Sequence, residues 1–100
     1  MDSVRVQVLY FGYLRGAAGA GEESVELQAG ATFRELIATL VARHGPGFRD
    51  SLFWEDGEPF PFVTLLLEGQ DIFHGRGLDT PIPAMAEARI VVMPAAMGGG

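Results

Sequence analysis

Apolar and polar residues alternate from the start of the chain: Val4, Val6 and Val8 are separated by Arg5 and Gln7, and Leu9, Tyr10 and Phe11 then close the run as continuous apolar sequence. A period of two predicts a strand, and its fully apolar end predicts a central one. Gly12 and the stretch Gly16-Ala17-Ala18-Gly19-Ala20-Gly21 read as a flexible turn, after which Ser24 to Leu27 alternates again as a short returning strand. The period then changes. Phe33, Leu36, Ile37, Leu40 and Val41 recur at helical spacing, and Thr32 followed three residues later by Glu35 has the form of a capping box. Gly45 and Pro46 stop that pattern, with Arg43 and His44 at the negative end of the helix dipole, so the spacing predicts a helix over Phe33 to His44.

From Gly45 to Pro61 the chain is rich in turn residues and reads as a long connection with one short helical turn around Phe48 to Leu52. Phe62 to Leu67 is a strand-length apolar run, Glu68-Gly69 a tight turn into a short strand at Asp71 to Phe73, and Ile90 to Met93, preceded by Arg89, a last β-rich run ended by Pro94. The order strand, strand, helix, strand, short strand, strand is that of an α+β ubiquitin-like β-grasp: a mixed sheet of four to five strands crossed by one main helix. Crossover geometry places the first and last long strands side by side at its centre. The expected organisation is one domain over residues 1–94 and a flexible glycine tail over residues 95–100.

Composition narrows the function. A hundred residues, 48% of them apolar, suffice for one core and no deep cleft. The absence of cysteine removes disulfides, thiolate metal sites and any redox thiol of the chain's own. A formal charge of −6 opposes binding to nucleic acid and favours basic partners. All seven basic residues are arginine, so no side-chain amine is present to accept an isopeptide bond. Met1-Asp2-Ser3 runs straight into the first strand without a signal-peptide pattern, and no apolar run approaches membrane-spanning length, which gives the expectation of a cytoplasmic protein without a membrane partner.

Candidate chemistry concentrates at Gly98-Gly99-Gly100. With 14 glycines per hundred residues, three in succession at one fixed place have a chance frequency of only roughly 0.3%, which turns attention to a role. A carboxylate is a poor acyl donor and needs activation, typically by ATP to a mixed anhydride, before sulfur or an amine can take the acyl group. A tail without Cβ atoms can thread a narrow channel and leave its carbonyl open to attack. The competing reading is a frayed end or a cloning remnant at which small residues are tolerated.

Phe11-Gly12-Tyr13-Leu14-Arg15, the helix opening Thr32-Phe33-Arg34-Glu35-Leu36, the segment Val63 to Ile72, and Met93-Pro94-Ala95-Ala96-Met97-Gly98-Gly99 together resemble the β-grasp sulfur carriers, a family that includes the small subunit of molybdopterin synthase and the thiamine sulfur carrier. The first and third segments look closer to the molybdopterin branch. The resemblance implies a carrier that is not itself catalytic beyond its terminus. Its C-terminal glycine, Gly100 with Gly99, is adenylated by a partner of the ubiquitin-activating type that uses ATP, and becomes a thiocarboxylate. The sulfur then passes to a precursor held by a larger synthase subunit. No cofactor is expected to stay bound. Phe11 and Met93 match the family's apolar partner-facing surface, although ordinary core is the alternative, and Pro94, Gly98, Gly99 and Gly100 complete the expected partner contacts. The family spacing from the hydrophobic residue before proline to the last glycine is met by Met93 to Gly99, leaving Gly100 over: it is used directly, or it is trimmed to expose Gly99, and direct use of Gly100 is the expectation. Two loops depart from the family pattern, with Glu68 where asparagine is common before the turn and Ala84-Met85-Ala86-Glu87 in place of an Asp-Gly turn.

The acceptor pathway stays open between molybdopterin, cysteine and thiamine synthesis, and so does conjugation to target lysines as a protein modifier. Other constellations point to less. His44 and His74 lack a second ligand at metal spacing, so no metal is expected, and Glu55, Asp56 and Glu58 beside Gly57 and Pro59 read as a solvated turn. Phe48, Phe53, Trp54, Phe60 and Phe62 gather aromatics in the long connection, where packing onto the domain is the simpler reading and a partner-binding patch the alternative.

Overall fold

A computed structural model describes residues 2–12 and 14–92. Five strands form one mixed sheet: β1 (Ser3–Gly12), β2 (Glu22–Gln28), β3 (Val63–Leu67), β4 (Gln70–Asp71) and β5 (Met85–Val92). Their order is β2-β1-β5-β3-β4, with β1 and β5 parallel and every other neighbouring pair antiparallel. The two long apolar strands are therefore central, as their composition requires: a strand flanked on both sides satisfies all its backbone donors and acceptors inside the sheet.

The helix α2 (Phe33–His44) has the bounds its periodicity predicts and lays Phe33, Leu36, Ile37 and Leu40 on the sheet face formed by Val4, Val6, Val8 and Tyr10 of β1 and Ala86, Ala88 and Ile90 of β5. Alanine at 86 and 88 gives the helix room to approach. Among the described residues the fully buried set is hydrophobic throughout, and no buried side-chain nitrogen or oxygen lacks a partner. The start of α2 departs from the capping box. Thr32 is extended and makes no side-chain cap; it bridges Pro81, and the Phe33 N–H donates to the Thr80 carbonyl at 2.9 Å, so the loop backbone satisfies one of the free donors at the helix start.

Three other expectations change. The glycine and alanine stretch after Gly12 is not simply a turn: α1 (Leu14–Ala18) occupies it, anchored by Leu14 and Ala18 in the core, and a single helical turn is too short to show a period. The short strand stops at Asp71, whose carboxylate accepts the Phe73 N–H at 2.9 Å and turns Ile72–His74 into a 3₁₀ helix. The last strand starts at Met85 instead of Ile90, because Ala86 and Ala88 fill inward positions with side chains too small to register as a hydrophobic alternation. The helical turn in the connection is α3 (Pro46–Asp50), with proline at its first position.

Candidate functional site

The central strand β5 remains paired on both sides to its last described residue: Val92 lies opposite Gly12 of β1 and Val63 of β3. The chain after Val92 therefore starts from the middle of the sheet at the end where β1 finishes. Met93, Pro94, Gly98, Gly99 and Gly100 lie outside the described residues.

Around that exit the open face of the sheet, away from α2, is less polar than its remainder. Phe11 is 39% exposed and pairs with Val91, whose other neighbour is Thr64; one rung further in, Leu9, Arg89 and Leu66 stand in a row. Phe11 thus lies outside the core, because strand parity sends Val8 and Tyr10 toward the helix and Leu9 and Phe11 the other way. Towards the β2 end of the open face, polar pairs take over, among them Arg5 with Glu26 at 3.7 Å. Beside Phe11 a hollow of about 460 Å³ is lined by Leu9, Tyr10, Arg15, Gly21 and Glu22. Among the described residues Arg15 has no carboxylate within ion-pairing distance.

On the helix side of the same end sits a polar knot that the sequence reading passed over. Glu23 faces the helix at the start of β2, ahead of the buried Val25 and Leu27. One of its oxygens accepts the Tyr10 hydroxyl at 2.6 Å and meets His44 Nε2 at 2.5 Å, and the other accepts Arg43 Nη1 at 2.6 Å. Tyr10, His44 and Phe48 pack ring against ring around it, with Tyr10 edge-on to Phe48 at 5.9 Å and His44 stacked on Phe48 at 5.3 Å. Burial, together with the Glu23 hydrogen bond and charge, pushes the Tyr10 hydroxyl far above the ordinary phenol value. Burial also presses the Glu23 carboxyl upward, but hydrogen bonds from Tyr10, Arg43 and His44 outweigh it and hold the group below the usual carboxylate range. The signal was a carboxylate at the same parity as Val25 and Leu27. The knot ties the end of β1 to the end of α2 and so fixes the backbone that carries Phe11 and Gly12.

The remaining polar candidates do not converge. His74 lies on the surface 3.9 Å from Asp71, remote from His44, and among the described residues no group of three or more His, Asp or Glu could hold a metal ion. Glu55, Asp56 and Glu58 are exposed. A hollow of about 810 Å³ lies around Glu68 to Ile72, at the end of β3 remote from Val92. No helix among the described residues is long and apolar enough to cross a membrane. The site that remains is an exit point: a pinned strand end, a half-apolar face beside it, and the segment that follows.

Known proteins share the fold. A chain of the BexX/CysO complex from Amycolatopsis orientalis is 29% identical, with a TM-score of 0.71, over 90% of this chain and 97% of that one. The putative molybdopterin converting factor subunit 1 from Pyrococcus furiosus is 27% identical, with a TM-score of 0.72, over 91% and 99%. The small archaeal modifier protein from Haloferax volcanii shares the fold at 22% identity, with a TM-score of 0.78, over 91% and 97%. Comparison with curated protein sequences gives no match. The sequence model of the ThiS family matches residues 8–99, nearly the whole chain and up to the glycine before the last. The chain belongs to the ThiS family, ubiquitin-like β-grasp proteins that serve as sulfur carriers or modifiers.

Proposed function

We propose that the chain is a sulfur carrier whose C-terminal glycine is adenylated and converted to a thiocarboxylate, and that it donates this sulfur in molybdopterin synthesis as the small, non-catalytic subunit of the synthase. The observation that carries the reading is the exit geometry: β5, paired on both sides as far as Val92, sends the glycine-ended segment out from the centre of the sheet. A rigid base beneath a tail without Cβ atoms suits a terminus that must be inserted into an enzyme.

In the proposed reaction a carboxylate oxygen of Gly100 attacks the α-phosphorus of ATP, and the bond to pyrophosphate breaks. Hydrosulfide then attacks the acyl carbon of the mixed anhydride, and AMP leaves with the bonding pair. ATP and the sulfur source belong to the adenylating enzyme. Phe11, with Leu9 and Val91 beside it, supplies the apolar contact to that enzyme and to the larger synthase subunit, and Arg15 offers a guanidinium to a carboxylate at the rim of either.

Incubation with ATP, the cognate adenylating enzyme and a sulfur source should raise the intact mass by roughly 16 Da, oxygen replaced by sulfur. An unchanged mass with an enzyme shown to be active on another carrier overturns the reading. A shifted product that has also lost one glycine would assign the acyl group to Gly99. The second reading is a carrier for another acceptor, in cysteine or thiamine synthesis. It is supported by the identity to the CysO-complex chain, 29% against 27% for the molybdopterin converting factor subunit. Assaying the thiocarboxylate against each acceptor enzyme in turn separates the two. Gly-Gly remnants on lysines of other proteins would favour the modifier role instead.

A further inference from the structure

The aromatic cluster of the long connection divides in the fold. Phe48 and Phe53 enter the core, Phe60 and Phe62 pack against it, and Trp54, the chain's single tryptophan, stays 54% exposed. It is not on a loose loop. Phe53 bridges Pro59, the Trp54 N–H donates to the Glu58 carbonyl at 2.8 Å, the Gly57 N–H donates to the Trp54 carbonyl at 3.0 Å, and the Glu58 N–H donates to the Asp56 carboxylate at 3.0 Å. The indole stands edge-to-face with Phe60 at a centroid distance of 4.4 Å, and Phe60 stacks on Phe62 at 5.2 Å. Phe62 immediately precedes Val63, the residue paired with Val92. A file of three aromatic rings therefore runs from the exit of the central strand out to an indole held at the surface.

Arg49 Nη2 approaches the Trp54 carbonyl at a long 3.4 Å, and the turn that follows the indole is acidic. Glu55, Asp56 and Glu58 are exposed, and among the described residues none has a cation within ion-pairing distance. We infer that Trp54 is an anchoring residue for the adenylating enzyme, received by a surface that lays an arginine or lysine over the indole within reach of the three carboxylates. A ring already fixed by the turn and by Phe60 loses little freedom on binding, which is the property of residues that dominate interfaces. A cation over an indole is attracted by the ring, and neighbouring carboxylates strengthen the preference. A second copy of this chain fits poorly, since pairing would bring two such acidic turns together at −6 apiece. The adenylating enzyme is the occupant because a carrier and a modifier alike pass through activation of the terminus, and because the aromatic file begins next to Val63, the partner of Val92. The inference rests on that reading of the tail.

Labelling with 5-fluorotryptophan gives one ¹⁹F resonance, that of Trp54. Titration with the ubiquitin-activating-type enzyme encoded in the same genome should shift or broaden it. Trp54→Ala should weaken the complex about tenfold, Trp54→Phe no more than about threefold, and the combined Glu55→Gln, Asp56→Asn, Glu58→Gln variant roughly three- to tenfold with a flattened salt dependence. A thermal midpoint and circular dichroism spectrum matching the unsubstituted chain establish that Trp54→Ala is folded, and Trp54→Phe keeps a ring on Phe60 if it is not. The inference is overturned by a resonance that does not move at enzyme concentrations sufficient to activate the chain, or by a folded Trp54→Ala variant that binds as tightly as the original. A moved resonance without any gain of mass would instead sink the carrier reading and leave the docking surface standing.

Discussion

Tyr10 on the central strand β1 donates its hydroxyl to Glu23 on the edge strand β2 at 2.6 Å, and the same carboxylate takes up Arg43 and His44 from the end of α2. Glu23 and His44 are only about 15% exposed as side chains, so these contacts are largely shielded from water. Removing the carboxylate takes the partner from the Tyr10 hydroxyl and from His44 Nε2, while Arg43 Nη1 keeps the Ser24 carbonyl at 3.2 Å. Glu23→Ala should lower stability by about 2–4 kcal/mol, and Tyr10→Phe, which removes one neutral donor, by about 1–2 kcal/mol. Urea denaturation of the two variants and of the double variant checks this. The double variant should fall short of the sum, because the pair shares one interaction.

The same knot sets the pH response. The Glu23 carboxyl is held below its ordinary value of 4.5, so the folded state binds its proton less readily than the unfolded chain does. The stability this contributes is fully present above about pH 4.5 and is lost as the pH falls toward and through the lowered folded value. At the other extreme the Tyr10 hydroxyl is raised above its ordinary value of 10.0. Its contribution is complete below pH 10.0 and is lost as the pH rises beyond it, where the unfolded chain ionises first. Midpoints measured from pH 3 to 11 should therefore fall at both ends, with Glu23→Gln flattening the acid limb and Tyr10→Phe the alkaline one. Unchanged slopes in both variants would remove the knot as the origin.

How much of this was readable in the chain depends on side-chain size and on distance. Phe33 to His44 and the central pairing of the first and last strands follow from strong periodicities of large apolar residues, and both stand in the fold. Ala86 and Ala88 conceal half of β5, because a small inward residue satisfies the sheet without marking a period. The Thr32-Glu35 box has the right letters, yet the loop at Thr80 and Pro81, nearly fifty residues away, reaches the helix start instead. Tertiary partners of that kind are invisible to local patterns. The Tyr10, Glu23 and His44 knot is a middle case: three residues from three elements, with a carboxylate at core parity as its only local sign.

Glu68 sits in a backbone conformation with a measurable cost. It has a φ of +52°, the only positive φ outside glycine among the described residues, and Gly69 follows at +81°. Two consecutive left-handed residues joining antiparallel β3 and β4 make the type of turn in which Asn-Gly is preferred, since asparagine tolerates that region better than glutamate. The Glu68 carboxylate recovers little, accepting the Glu87 N–H at a long 3.4 Å. Glu68→Asn should raise stability by about 0.5–1 kcal/mol, and Gly69→Ala should lower it by about 1–2 kcal/mol. Thermal unfolding of the two variants tests the sign in each direction.

Phe11 separates the fold from the interface. Its neighbours along β1, Val8 and Tyr10, are closed off by α2, whereas Phe11 meets water on the open face beside the exit of β5. A partly exposed side chain whose backbone is held by the parallel pairing to Val91 contributes modestly to stability, so Phe11→Ser should cost about 1 kcal/mol or less, against about 2–4 kcal/mol for Val8→Ala packed beneath the helix. The order should reverse in activation. If the open face docks on the adenylating enzyme, Phe11→Ser raises the concentration of carrier needed for half-maximal thiocarboxylate formation by about tenfold, whereas Val8→Ala, once folded, leaves it within about twofold. Stability from urea curves and half-saturation from intact-mass time courses give the two axes. A Phe11→Ser variant activated as readily as the original would move the docking surface off the open face, and would leave the aromatic file that ends at Trp54 as the place to look.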